Sequence, residues 1–172
     1  MRLILEQAAD RVSHRIQVLN SSSLVLADLQ SVEGTSADEW PPSPPLQSYS
    51  LQEIRPGQSA AFLVGMSGKS HWSASIEPRP GEGEIFFDFA CRVNATPNWL
   101  GTSYSVELPS PELSVDFELT PNGILVRPEV SAKGNHTIET VATTHPLRTG
   151  CHEAVPTKFP ATMRWQYRIR LA

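Results

Sequence analysis

The end of the chain alternates without a fault. Met163, Trp165, Tyr167, Ile169 and Leu171 fall on one side, and Arg164, Gln166, Arg168 and Arg170 on the other. A period of two puts every second side chain on the same face of a strand, so five apolar groups go inward and three guanidinium groups outward. A second stretch repeats the rhythm, with Leu113, Val115, Phe117 and Leu119 against Ser114, Asp116, Glu118 and Thr120. Strands with one dry and one wet face are the habit of antiparallel sheets packed in pairs. The expected fold is therefore all-β, an antiparallel β-sandwich.

The rest of the chain supplies the other strands. Leu24 to Val32, Ser59 to Met66, Trp72 to Ile76, Glu84 to Val93, Tyr104 to Leu108, Ile124 to Val130 and His136 to Val141 each read as extended. Turn signals lie between them at Asn20-Ser21-Ser22-Ser23, Pro56-Gly57, Pro78 to Gly83 and Thr120-Pro121-Asn122-Gly123. Ile16 and Val18 read as a further short strand. Leu5, Ala8, Ala9, Val12 and Ile16 stand at helical spacing, which predicts a short helix from Leu3 to about Val12. Glu33 to Leu51, with Trp40-Pro41-Pro42-Ser43-Pro44-Pro45, predicts a long surface loop, because proline removes ladder donors and favours polyproline geometry. Thr143 to Ala161 predicts another loop. The sum is one domain, residues 1–172, of about nine to ten strands with one short N-terminal helix.

Composition narrows the function classes. A net charge of −4 argues against a nucleic-acid binder, which needs a basic footprint to neutralise phosphates. No apolar run approaches the ~20 residues of a membrane-spanning helix, and Leu3-Ile4-Leu5 is too short for a secretory core of about 7–15 residues. The chain thus reads as cytoplasmic, or secreted without a cleaved signal peptide. Cys91 and Cys151 are far apart in sequence and, with no sign of an oxidising compartment, are expected as thiols.

Catalytic chemistry finds little to stand on. Cys151, His152 and Glu153 are adjacent, and neighbours on an extended chain point apart, so they cannot jointly grip one ion. Asp88 lies in an apolar strand, where a lone carboxylate is more often a surface or backbone-bonded group than a general acid. No catalytic residue, metal ligand or cofactor is assigned. An enzyme on a β-sandwich would need an acid/base pair that is not recognisable here.

Aromatics carry more meaning. Trp40, Trp72 and Trp99 sit in or beside predicted loops, with Tyr49 and Tyr104 near two of them. Indole and phenol rings favour membrane interfaces, stack on sugars, or fill cores. The order of several motifs resembles the small β-sandwich cytolysins of the aegerolysin and actinoporin type. The resemblance rests on Ile16-Gln17-Val18-Leu19-Asn20-Ser21-Ser22, on Ile54-Arg55-Pro56-Gly57, and on the run from Phe86-Phe87-Asp88-Phe89 through Pro97-Asn98-Trp99 to Gly101-Thr102-Ser103-Tyr104. It implies recognition of lipid head groups by loop aromatics, peripheral membrane attachment and, in some members, assembly into a homo-oligomer. The lipid-binding residues it implies are Trp99, Tyr104 and Asn98 of their loop, with Trp40 as a further candidate. Cys91 to Thr96 holds no tyrosine where actinoporins have a tyrosine-rich head-group segment, so lipid binding is implied more than pore formation. A lectin-like module, with glycans in place of membrane lipid head groups, is the alternative.

Overall fold

A computed structural model describes residues 1–107, 117–119, 147–151 and 156–171. Among these residues eleven strands form two antiparallel sheets. The strands are β1 (Arg2–Ala8), β2 (Arg11–Leu19), β3 (Val25–Ser31), β4 (Leu46–Arg55), β5 (Gln58–Ser67), β6 (Ser70–Arg79), β7 (Glu84–Val93), β8 (Gly101–Glu107), β9 (Phe117–Leu119), β10 (Leu147–Gly150) and β11 (Ala161–Leu171). The first sheet runs β1-β2-β3-β8-β10 and the second β4-β5-β6-β7-β11-β9. The strands expected at 124–130 and 136–141, and most of that at 113–119, lie outside the described residues.

β11 behaves as its alternation predicts. Met163, Trp165, Tyr167 and Ile169 are buried in the core, whereas Arg164 and Arg168 are exposed. β11 pairs with β7 from Ala161↔Val93 to Arg170↔Glu84, so it lies inside the second sheet, flanked by β9 on its other side. Its inward row meets Phe87 and Phe89 of β7. Tyr167 stacks on Phe87 with ring centroids 4.6 Å apart, and Trp165 on Phe89 at 5.3 Å. Trp72 of β6 closes the group edge-on to Trp165 at 6.0 Å. Offset stacked and edge-to-face rings add to the gain from apolar burial. The first sheet contributes Val12, Ile16, Val18, Ala27, Leu29 and Tyr104 to the same core.

The N-terminal helix is not formed. Leu3 to Ala8 is the edge strand β1, paired with β2 in the register Leu3↔Ile16, Leu5↔His14 and Ala8↔Arg11. Helical spacing and strand spacing coincide over so short a run. What separates them is the partner: Val12, His14, Ile16 and Val18 are all buried, so β2 begins at Arg11 and offers its edge to the preceding residues. The turn between them has Ala9 at φ 52°, a left-handed conformation that ends any helix there.

Two loop assignments also change. The segment expected as loop from Glu33 to Leu51 gives way at Leu46 to β4. Its proline run is not a surface feature: Pro41, Ser43, Pro44 and Pro45 are buried. The run straps the sandwich, with Ser43 Oγ donating to Ser103 O at 3.2 Å and Ser103 Oγ donating to Pro42 O at 3.1 Å. Gly65 permits the close crossing at the end of that strap, since a Cβ there would lie 1.9 Å from Pro45 O. The loop expected from Thr143 to Ala161 contains β10, paired to β8 from Leu147↔Tyr104 to Gly150↔Gly101.

Candidate functional site

The residues expected to form a lipid site do not converge on a surface. Tyr104 is fully buried, because Gly101 to Glu107 is a strand between β3 and β10 and Tyr104 points between the sheets. The strand expected from Tyr104 onward is present, but the Tyr104 ring points inward, which corrects its assignment to a surface lipid site. Its hydroxyl lies 2.6 Å from Tyr167 Oη and 2.7 Å from His14 Nε2. Trp99 is half-buried. Its indole N–H donates to Pro42 O at 2.9 Å, and Arg148 lies over the ring at 5.6 Å. Gly150 passes under that ring, where a Cβ would come 2.9 Å from it. Trp40 is half-buried too, set edge-on to Trp72 at 6.4 Å, and Trp72 itself is core. Of the four candidates only Asn98 is exposed.

The trio of His14, Tyr104 and Tyr167 has the look of a proton relay. Burial lowers the His14 pKa to about 3, so the ring is neutral, and burial pushes both tyrosine hydroxyls upward. His14 N donates to Ser31 Oγ at 2.9 Å, and Ser31 Oγ donates to Glu33 Oε1 at 2.6 Å. All three rings are sealed from solvent. A neutral imidazole bonded to a phenol inside a core satisfies buried polar groups, which is a structural duty.

Among the described residues no three His, Cys, Asp or Glu side chains gather as a metal ion would require. His152 and Glu153 lie outside those residues. Cys91 is buried in β7 and its thiol is pushed up to about 12, far from nucleophilic. Cys151 follows β10, its N–H bonded to Leu100 O at 2.8 Å and its thiol directed at Arg164 O. Asp88 faces outward from the second sheet, where it accepts from both Arg164 and Gln166. It is a member of a surface ion pair.

The outer face of the second sheet divides in two. Over β7 and β11 it is closed by charge. Arg79 donates to Glu77 at 2.9 Å and to Glu84 at 3.2 Å while lying 4.4 Å over Phe86, and Arg168 also lies over that ring at 5.7 Å. Over β5 and β6 it is open. Phe62, Val64 and Met66 alternate outward along β5, Val64 remaining 55% and Met66 45% exposed. Beside them runs an open groove of about 560 Å³, crossing from β4 to β11. Val64, Met66 and Ala90 give it an apolar floor, while His71, Arg92 and Thr162 stand together at one end through the register Met66↔His71↔Arg92↔Thr162. The lining holds one guanidinium, one imidazole and no carboxylate.

Sequence reasoning missed this groove. Its signal was present, since Phe62, Val64 and Met66 alternate with Ala61, Leu63 and Gly65 and leave apolar groups on both faces of one strand. An edge-proximal strand with two apolar faces needs a second covering surface.

The class is therefore an all-β protein of two antiparallel sheets, bearing an apolar, cation-ended groove on one outer face. Compared with known proteins, the chain matches no family model, no curated protein and no solved structure.

Proposed function

We propose that the protein is a non-enzymatic binding protein for an anionic amphiphile, a lipid-type molecule, held in the outer groove of the second sheet. The observation that supports this reading is the composition of that groove. Val64, Met66 and Ala90 offer an apolar bed, and Arg92 with His71 stands at its end without an acidic neighbour in the lining, in a chain whose net charge is −4. A local cationic site on an acidic protein selects a defined anionic group more than a charged surface in general. The groove volume falls in the range of about 300–1,000 Å³ usual for small-ligand sites. The motif resemblance to lipid-recognising cytolysins agrees with the ligand class, though the binding face differs from the loop it implies.

The test is calorimetric titration with dodecyl phosphate below its micelle concentration. Binding is expected, with Arg92→Ala weakening it by about tenfold, the worth of a charge-assisted contact. Val64→Asp should abolish it without unfolding the exposed strand face. Equal affinity for dodecyl maltoside, or binding confined to free oligosaccharides, would overturn the proposal and favour the lectin-like alternative.

A further inference from the structure

Among the described residues β4 has a neighbour, β5, on one side only, so its other edge has no ladder partner there. Every residue from Gln47 to Arg55 is exposed. The stretch contains neither proline nor lysine, and its charged residues Glu53 and Arg55 stand at one end. Irregularities at Leu46/Ser48 and Glu53/Arg55 bound a regular run from Ser48 to Glu53. Within it Tyr49 and Leu51 pair with Leu63 and Ala61, so they stand on the inner side of the sheet. They nonetheless remain 47% and 67% exposed.

The sequence of this edge is self-complementary. Gln47-Ser48-Tyr49-Ser50-Leu51-Gln52-Glu53 reads apolar next to the centre, small or neutral polar beyond it, and polar at both ends, mirrored about Ser50. The geometry points to a second copy of this chain as the occupant: β4 pairs antiparallel with β4 of the other copy about a two-fold axis at Ser50. Tyr49 then faces Leu51 of the second copy, twice, as aromatic–aliphatic cross-strand pairs. Ser48 faces Gln52 of the second copy, a neutral polar pair at the edge of the regular run. Charge disfavours registers shifted toward the Glu53 end. An axis at Gln52 would set Leu51 against Glu53, and an axis at Glu53 would set two carboxylates opposite each other. Glu53 and Arg55 balance on this strand, so the −4 charge of each copy is not concentrated at the contact. The contact is isologous and closes on itself, joining two six-stranded sheets into one.

The test is sedimentation velocity on the full chain from low to high micromolar concentration. Wild type should pass from the monomer mass to twice that mass. Leu51→Lys should stay monomeric with unchanged circular dichroism and, at the low concentration where wild type is monomeric, an unchanged melting temperature, because the side chain is largely exposed. Ser50→Cys, oxidised beside wild type and Ile54→Cys, should be the one form giving a new disulfide-linked dimer. A wild type that stays monomeric throughout, a Leu51→Lys variant that still dimerises, or cross-linking of Ile54→Cys equal to that of Ser50→Cys would each overturn the inference.

Discussion

The second sheet contains two regions built by the same alternation and finished differently. In the β7–β11 centre, from Glu84 to Phe89, both faces are covered: Phe87, Phe89, Trp165 and Tyr167 stack inward, Arg79, Glu84 and Arg168 gather outward around Phe86, and Asp88 pairs with Arg164. In the β4–β5 flank neither face is complete. Phe62, Val64 and Met66 stand uncovered outside, and Tyr49 and Leu51 uncovered inside. Exposed apolar surface beside Arg92, in a lining without a carboxylate, is where a chain has left room for something else. The centre specifies the fold, and the flank offers the contact surfaces.

The comparison breaks first at Trp165. Replacing this fully buried ring with Ala should cost about 3–5 kcal/mol in equilibrium unfolding, because transfer and cavity terms add. A loss under about 1 kcal/mol would mean that the inward row is not the core.

The next largest effect belongs to His14. Its folded pKa of about 3 lies below the unfolded 6.5, so the unfolded chain binds the extra proton between those values. The neutral ring's contribution is fully present above pH 6.5 and is lost as pH falls toward 3, at a slope approaching about 1.4 kcal/mol per pH unit. Glu33, raised by burial despite its bonds to Ser31 and the charge of Arg11, acts in the opposite sense. The readout is therefore the difference between wild type and His14→Gln in denaturant melts across that window. Parallel curves for the two proteins would contradict the placement of a neutral imidazole in the core.

Trp99→Ala should cost about 1–2 kcal/mol, from a half-buried ring and its bond to Pro42 O. Dodecyl phosphate affinity should not change. An unaltered melting temperature with lost binding would move the site back to the loop. Asp88→Asn, which weakens the exposed pair with Arg164, should cost less than about 1 kcal/mol by the same melts, as surface ion pairs do.

How much could be read beforehand follows from the same contrast. β11 and β7 were legible because a strand with one wet face writes its period into the sequence, and Met163 to Ile169 did so without exception. β1 was not, because Leu5, Ala8 and Val12 satisfy a helical stripe as well as they fill a strand, and only the buried partner β2 decides. Tyr104 and Trp99 were expected to be more exposed than they are, for a related reason. Turn-rich composition from Asn94 onward marked a loop, but the proline strap that holds Trp99 through Pro42 O comes from 57 positions earlier, a tertiary contact no local pattern encodes. The groove failed to show because it is assembled from five strands.

The central claim is that the ligand lies in the outer groove and not at the loop aromatics. Methyl-carbon NMR of methionine-labelled protein tests it most directly, since the three methionines report three places: Met66 in the groove, Met163 in the core, and Met1 at the start of the edge strand β1. On titration with dodecyl phosphate the Met66 methyl should shift progressively while Met163 and Met1, and the Trp99 indole proton, stay in place. A stationary Met66 with a moving Trp99 indole would contradict the account.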